Sequence, residues 1–260
     1  MSPSVLLTND DGVNSVGLWA AYDALASIAD VTVVAPATQQ SAVGRSISIF
    51  EPLRVDEISH NGISAYSVAG KPTDAVIIGL FALELAPDLI VSGINIGENL
   101  SFESIMTSGT VGAALEGANQ GVPGLAVSLQ VEDQGDKFGD PRQSAQSFTA
   151  AAAVVRDCCE RIFQLGFPTG ADVLNINIPA HPVGGYECTR LAKKLFSTGV
   201  ERRLDPRGRP YYWIDGPLIE DAEPGTDVHA IKEGRVSVTP LTLDCTAPVA
   251  CPALGRLLEG

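Results

Sequence analysis

The sequence lacks the features that mark several common functional classes. It has no apolar run of the roughly 18 residues that a membrane-spanning helix needs. The N-terminal residues 1–4 contain no basic region of the kind that opens a signal peptide. Five cysteines form no Cys-x-x-Cys pair and only three histidines are present, which argues against a zinc site. We therefore expect a cytoplasmic protein that does not use a membrane.

Basic residues are also scarce, with 17 Lys and Arg against 31 Asp and Glu and a net charge of −14. This balance argues against nucleic-acid binding, which depends on neutralising phosphates. It also constrains any phosphate substrate. A carboxylate and a phosphate charge about 4 Å apart repel by about 4 kcal/mol at an effective dielectric constant near 20. An anionic substrate could therefore approach an acidic site only with a divalent cation between them.

The most informative segment is V-L-L-T-N-D-D-G at residues 5–12, an apolar run that ends in Asp10 and Asp11. Open α/β sheets bind ligands at the carboxyl ends of their strands, and hard divalent cations prefer oxygen ligands. The pair is thus a candidate metal site. The same three residues, Asp10, Asp11 and Gly12, are also typical of an ordinary turn, and this segment alone leaves both interpretations open.

The hydrophobic pattern predicts alternating strands and helices. Strand-like segments are expected at residues 5–8, 31–35, 51–68, 88–93, 124–129 and 173–178, and helices at 17–29, 73–85, 108–118 and 143–165. This order indicates an α/β fold, a Rossmann-like three-layer core with a mostly parallel sheet. From about residue 184 the composition changes to short charged, aromatic and Pro/Gly-rich segments, which predicts a β-hairpin-rich extension. We expect a catalytic core at residues 1–183 and an oligomerisation segment at 184–260.

Three further polar segments fall at predicted strand ends or helix starts, where they could converge with Asp10 and Asp11. They are the loop at 39–46, the glycine- and asparagine-rich segment at 92–99, and S-G-T-V-G at 108–112. Small residues at a helix start expose backbone N–H groups to an anion. Taken singly, each has an ordinary explanation: Ser41 as a loop serine, Asn95 as a turn residue, and Ser108 as a helix cap.

Taken together, the motifs are specific. In one order the chain contains L-L-T-N-D-D-G-V-N, V-V-A-P-x-x-x-Q-S, V-S-G-I-N-I-G-E-N, S-G-T-V-G-A-A-L-E-G and V-S-V-T-P-L. A-G-K-P-T-D-A-V at 69–76 and L-N-I-N-I-P at 174–179 accompany them. This arrangement resembles the SurE family of stationary-phase survival proteins, which are metal-dependent nucleoside-monophosphate phosphatases. The resemblance covers nearly the whole chain and is loosest between about 130 and 220.

The resemblance implies a site and a reaction. One divalent cation per subunit, such as Mg²⁺ or Mn²⁺, would be held by Asp10, Asp11, Ser41 and Asn95. The catalytic residues would be Asp10, Asp11 and Asn95, with one aspartate accepting the proton of the attacking water. The residues expected to bind the nucleoside-monophosphate substrate are Asn9, Asn95, Ser108, Gly109 and Thr110. The family also implies a homodimer or homotetramer, with the C-terminal hairpin exchanged between subunits, and possible further activity on 3′-nucleotides and polyphosphate.

Three positions depart from the family's pattern. Ala42 stands where glycine commonly follows the ligand serine, and Thr107 stands where tyrosine is frequent before Ser108. Lys71 replaces a small or polar residue, and it is either a surface lysine or one that reaches the substrate phosphate. None of these differences removes a predicted metal ligand, but they bear on substrate preference.

Other functions are compatible with parts of the pattern. A phospho-accepting signalling domain also pairs acids after its first strand, but it needs another aspartate where this chain has Ser92 and Gly93. A dinucleotide-binding Rossmann domain needs G-x-G-x-x-G, and here only Gly17 follows Gly12. The main alternative is a non-catalytic α/β protein that binds a nucleotide or phosphate without hydrolysing it.

Overall fold

A computed structural model describes residues 2–132, 140–142, 147–219, 221–247 and 258. The described elements alternate between strands and helices along the chain. The strands are β1 (Ser4–Thr8), β2 (Asp30–Pro36), β3 (Val55–His60), β4 (Ile63–Val68), β5 (Leu89–Ile96), β6 (Gly124–Leu129), β7 (Val173–Ile178), β8 (Tyr186–Cys188), β9 (Gly199–Leu204), β10 (Pro210–Asp215) and β11 (Val236–Leu241). The helices are α1 (Val16–Leu25), α2 (Pro72–Ile77), α3 (Ser101–Thr107), α4 (Gly109–Asn119), α5 (Thr149–Leu165) and α6 (Asp227–Lys232).

Nine of the described strands form one sheet, in the order β3-β4-β2-β1-β5-β6-β7-β11-β8. Every neighbouring pair from β4 to β7 is parallel, whereas β3 joins β4, and β11 joins β7, in antiparallel fashion. The chain order therefore brings β1 to the middle of the sheet, between β2 and β5. As a result, the loops that follow these three strands meet at one edge, where ligands bind in open α/β sheets.

Helices cover both faces of the sheet. On one face α1 and α5 pack over a core that includes Leu7, Leu18 and Val155. On the other, α2 and α4 pack over Leu6, Val76 and Ala113. Alternate residues of a strand point to opposite faces, so β1 contributes to both layers, and its three central residues, Val5, Leu6 and Leu7, are all apolar and buried. The predicted three-layer α/β fold with a mostly parallel sheet is confirmed.

Several predicted boundaries differ from the structure. The predicted helix at 73–85 is an α-helix only over Pro72–Ile77 and continues as one π-helical segment at Ile78–Ala82. The predicted loop after residue 93 is still strand, because β5 runs to Ile96 through a register shift between Ser92 and Asn95. The predicted start of the long helix, residues 143–146, lies outside the described residues, and the helix begins at Thr149. Sequence patterns also missed the short helices α3 and α6.

The C-terminal segment has two parts. Strands β8 and β11 extend the main sheet, whereas β9 and β10 pair only with each other as an antiparallel hairpin. The hairpin carries large exposed side chains, among them Tyr212, Trp213 and Ile214, which are 61%, 56% and 86% exposed. Among the described helices, none is both long and apolar enough to cross a membrane.

Candidate active site

Asp10 and Asp11 lie just beyond the end of β1, at the centre of the sheet. Gly12 allows the chain to turn here. Its φ is +94°, and a Cβ would lie 3.1 Å from the carbonyl carbon of Thr38. Because the strand has ended, the two carboxylates are free of the alternation that would send them to opposite faces. Both are buried, with 7% and 6% of their surfaces exposed.

Asp10 faces the N-terminus of α4. The hydroxyl of Thr110 donates a hydrogen bond of 2.5 Å to Oδ1 of Asp10. The backbone N–H groups of Gly109 and Thr110 also point towards this carboxylate and favour its ionised form. Gly109 permits the close approach, because a Cβ there would lie 2.8 Å from the Asp10 Cβ.

Asp11 faces the end of β5. Its Oδ2 accepts a hydrogen bond of 3.1 Å from the N–H of Ile96, while Nε2 of Gln39 lies 3.4 Å from Oδ1. The register shift in β5 falls just before Asn95, at the edge of the sheet where Asp11 lies. Nδ2 of Asn95 donates to the Gly97 carbonyl at 2.6 Å, which fixes which end of the amide carries the oxygen.

The loop that carries Ser41 is anchored at several points. Gly44 donates its N–H to the Thr107 carbonyl at 2.8 Å. Arg45 pairs at 2.8 Å with the buried Glu116 of α4. Further along the loop, Asp74 accepts the N–H of Ser48 at 2.9 Å. These contacts hold an exposed, polar loop against the helices α3, α4 and α2.

Two departures from the family pattern acquire a physical meaning here. Ala42, which follows Ser41, has a φ of +58°, a left-handed conformation that glycine adopts more readily than alanine. The ammonium group of Lys71 lies 3.2 Å from the Ile47 carbonyl, to which it donates a hydrogen bond. Lys71 therefore helps to hold this loop, and it is not among the residues that line the cleft described next.

These loops enclose a cleft of about 230 Å³. It is lined by Asp10, Asp11, Gln39, Ser41, Ala42, Asn95, Ile96, Gly97, Glu98, Asn99, Ser104, Thr107 and Ser108. Among these lining residues, all within the described part of the chain, none is Lys, Arg or His. Burial raises the pKa of Asp10 above its usual value, and burial together with the charge of Asp10 raises the pKa of Asp11 to about 7. Three buried carboxylates, those of Asp10, Asp11 and Glu98, thus line a cleft whose lining residues supply no positive side chain.

The donors at this cleft suit a hard divalent cation. Asp10 and Asp11 bring carboxylate oxygens, and Ser41 and Asn95 line the same cleft with a hydroxyl and an amide. Such an oxygen set is preferred by Mg²⁺ and Mn²⁺. Within the described residues, no group of three or more His, Cys, Asp or Glu side chains forms a metal-ligating cluster. A cation here would therefore depend on two acidic and several neutral oxygens.

Of the residues predicted to bind substrate, some line the cleft, whereas others contact Asp10 or brace the turn that carries the acids. Asn95 and Ser108 line the cleft, and the Ser108 oxygen also caps α4 by accepting the N–H of Val111 at 3.1 Å. Gly109 and Thr110 contact Asp10 instead of lining the cleft. Asn9 is fully buried, and its Nδ2 donates to the Gly12 carbonyl at 3.0 Å and to Ser15 Oγ at 2.7 Å, so it braces the turn.

Sequence reasoning did not single out Glu98, Asn99 and Ser104 as site residues, although all three line the cleft. Glu98 and Asn99 belong to the quoted motif V-S-G-I-N-I-G-E-N, so the motif itself was the available signal. Ser104 lies on α3, which no hydrophobic periodicity indicated. Only the tertiary structure places this helix, and Ser104 with it, beside the cleft.

A larger cavity of about 740 Å³ lies on another side of α3. Phe102 lines this cavity, whereas Ser104 and Thr107 line the acidic cleft. Its walls are mostly apolar, with Ala192 and Val228 among them. It lacks the buried acidic pair, so it is not the candidate catalytic site.

Comparisons with known proteins agree with the motifs. The sequence model of the family described as "Survival protein SurE" matches residues 5–198. A protein of Methanoculleus marisnigri named 5'-nucleotidase SurE is 72% identical over 260 residues, covering 100% of this chain and 99% of the relative. One of the same name from Methanoregula boonei is 74% identical over 250 residues, covering 96% of each chain. The crystal structure of a SurE protein from Aquifex aeolicus superposes with a TM-score of 0.83 at 36% identity, covering 99% of this chain and 100% of that one.

Proposed function

Since this chain belongs to the SurE family, we propose that it is a 5'-nucleotidase that hydrolyses nucleoside monophosphates to nucleoside and phosphate at the Asp10–Asp11 cleft. The observation that carries the assignment is the pair of buried, adjacent carboxylates in a cleft lined by neutral oxygen donors and by no basic side chain among the described residues. Such a cleft repels a bare phosphate dianion, and it accepts one when a divalent cation is bound.

In this proposal, Asp10, Asp11, Ser41 and Asn95 hold one divalent cation. When bound, the cation supplies Lewis-acid polarisation of a phosphoryl oxygen and lowers the electrostatic barrier to an anionic substrate. Mg²⁺ and Mn²⁺ are the candidates because every proposed ligand is an oxygen.

The protein's own groups then bind the phosphoryl oxygens, hold Asp10 and the turn in position, and accept the proton of the attacking water. Ser108 accepts the Val111 N–H, so its hydroxyl hydrogen is available for a phosphoryl oxygen in the cleft. Gly109 and Thr110 act by holding Asp10 in place, and Asn9 acts by bracing the turn that presents both acids. Oδ1 of Asp11 has only the 3.4 Å contact with Gln39. This long contact leaves Oδ1 of Asp11 able to accept the proton of the attacking water.

The decisive experiment is a phosphate-release panel of nucleoside 5'- and 3'-monophosphates, polyphosphate and generic phosphomonoesters. Each is assayed after chelator treatment and again with Mn²⁺, Mg²⁺ or Co²⁺ added back. We expect no release with chelator and restored release of phosphate from 5'-monophosphates with metal. Tight nucleotide binding without phosphate release under every condition would instead support the non-catalytic alternative.

Two substitutions test the ligand assignment. Asp10→Asn keeps the shape of the side chain and removes its charge, so turnover should fall strongly while the fold survives. Ser41→Ala should weaken the metal dependence less, because a neutral hydroxyl is a weaker ligand than a carboxylate. Full activity of Asp10→Asn with Mn²⁺, or an unchanged metal titration for Ser41→Ala, would contradict the corresponding assignment.

We further propose that residues 1–183 form the catalytic core and that the segment 184–260 mediates a homodimer or homotetramer, chiefly through the β9–β10 hairpin. The exposed Tyr212, Trp213 and Ile214 support this, because large apolar side chains clustered on one projecting hairpin are typical of an interface. Trp213→Ser with Ile214→Ser should lower the mass measured by light scattering. An unchanged mass would contradict the assignment.

The cytoplasmic location stays a prediction from the sequence.

A further inference from the structure

The motif L-N-I-N-I-P on β7 has no role in the reaction proposed above. Asn175 and Asn177 of this motif are fully buried in the sheet. Strands that are covered on both faces are normally apolar throughout, and a buried amide is costly unless its hydrogen bonds are made. The two side chains therefore need specific partners.

Those partners belong to a single residue, Asn99, which lines the acidic cleft. Asn177 Oδ1 accepts the backbone N–H of Asn99 at 2.7 Å, and Asn177 Nδ2 donates to the Asn99 carbonyl at 3.1 Å. Asn175 Nδ2 donates to the same carbonyl at 2.9 Å. The Asn99 side chain in turn donates to Ser128 Oγ at 2.8 Å. Two strands of the sheet thus hold one loop residue by both its backbone groups and its side chain.

The held loop determines how Asn95 is turned. Gly97 lies two residues before Asn99, and its N–H donates to the Leu129 carbonyl at 2.8 Å. The Gly97 carbonyl accepts Nδ2 of Asn95 at 2.6 Å. An amide whose nitrogen is bonded to a fixed carbonyl must present its oxygen on the other side. The position of residues 97–99 therefore sets the direction of Asn95 Oδ1.

We propose that Asn177, assisted by Asn175, is a positioning residue for the cation site: it fixes the loop at residues 97–99 so that Asn95 Oδ1 is held ready to ligate. This inference rests on the proposed function, in which Asn95 is a metal ligand. Groups that orient metal ligands without touching the metal typically change metal affinity when they are removed. The polar residues of β7 would then position the cation site as well as form part of the sheet.

Thr239 provides a matched control for a purely structural role. It lies on β11 opposite Asn175, is 2% exposed, and its hydroxyl is bonded to Thr189 at 2.7 Å. Thr239→Val therefore removes a buried hydrogen bond from the same sheet without removing a hydrogen bond of Asn99. A general loss of sheet stability would affect this variant and Asn177→Ala alike.

The test is a calorimetric titration of Mn²⁺ alone into the full-length, chelator-treated protein, with the melting temperature measured beside it. For Asn177→Ala we expect the Mn²⁺ dissociation constant to rise by about tenfold, in the range seen when ligand-orienting groups are removed. Ser128→Ala, a milder change to the same loop, should raise it by a smaller factor than Asn177→Ala does. Thr239→Val should bind Mn²⁺ as the wild type does, and the turnover of Asn177→Ala should recover at saturating Mn²⁺.

The outcomes separate the two proposals. If the wild type binds Mn²⁺ and both Asn177→Ala and Ser128→Ala bind it equally well, the positioning role is wrong and the proposed cation site stands. If the wild type binds no divalent cation, both proposals fall. Should Asn177→Ala not fold, Ser128→Ala and Asn175→Ala decide the question by the same titration.

Discussion

Thr110 Oγ1 lies 2.5 Å from Asp10 Oδ1, a hydrogen bond between residues 100 positions apart in the sequence. Asp10 follows the central strand β1, and Thr110 lies in the first turn of α4. Burial raises the pKa of Asp10, and the Thr110 hydroxyl is the largest of the groups that lower it. One side chain of the helix thus both orients the acid and favours its ionised form.

Thr110→Val should therefore impair the reaction, because it keeps the side-chain volume and removes the hydroxyl. A hydrogen bond to a charged group contributes about 1.5–3 kcal/mol, so we expect kcat/KM to fall by about 10- to 100-fold. The pKa of Asp10 should rise further, which moves the acid limb of the pH–rate profile to higher pH. Thr110→Ser should retain both properties. A wild-type pH profile for Thr110→Val would contradict the role assigned to this bond.

Gly109→Ala should displace Asp10. An added Cβ would lie 2.8 Å from the Asp10 Cβ and 3.2 Å from the Gln40 carbonyl oxygen, and neither neighbour can move freely. Overpacking of this kind typically costs about 1–3 kcal/mol of stability, and we expect at least a tenfold loss of kcat with it. Gly185→Ala is the matched control, since a Cβ there meets nothing within 4 Å. Equal effects of the two substitutions in thermal melts and assays would argue against a special role for Gly109.

The stability of the metal-free protein should fall as the pH rises. Burial and the charge of Asp10 raise the pKa of Asp11 from 3.8 to about 7. A carboxyl group with a raised pKa in the folded state binds its proton more tightly there than in the unfolded chain. The resulting stabilisation is present at low pH and is lost as the pH rises through about 7.

Differential scanning fluorimetry in chelator between pH 5 and 8 should show this decline in melting temperature. Added Mn²⁺ should remove most of it, because the cation binds the ionised pair. Asp11→Asn should show a flatter pH dependence in chelator, since it has no carboxyl group to titrate at that position. A melting temperature that rises with pH in the chelated wild type would contradict the assignment.

Ala42→Gly should leave the free energy of unfolding nearly unchanged. Its φ of +58° strains an alanine by about 1–2 kcal/mol, whereas glycine adds roughly 0.4–1 kcal/mol of unfolded-state entropy. The two effects nearly cancel, so Ala42→Gly should change the free energy of unfolding by less than about 1 kcal/mol. Ala42→Val, which is β-branched, should destabilise the loop and weaken Mn²⁺ binding through Ser41. Denaturant melts and metal titrations of the two variants test this, and equal behaviour would show that backbone strain at residue 42 is unimportant.

Much of the architecture was predictable because it depends on local patterns. The apolar runs before Asp10 and before Ser92 were correctly predicted to be buried strands. The alternation of strands with amphipathic helices indicated the parallel sheet. Boundaries failed where tertiary contacts override local preference. The strand β5 continues past Gly93 because it pairs with β6 on both sides of its register shift. The helix α3, at seven residues, is too short to show a clear hydrophobic period.

The sequence by itself determined the chemistry of this protein: two adjacent carboxylates after an apolar strand, a serine loop, an asparagine segment and a small-residue helix start, in an order that the SurE family shares. Only the tertiary structure decided what each group faces. Thr110 and Gly109 turn to Asp10, and Asn177 turns to Asn99. The physical reason is that a sequence motif specifies which donors and acceptors exist. Their pairing depends on which strand ends and helix starts the parallel sheet brings together, here across separations of 78 to 100 residues in the chain.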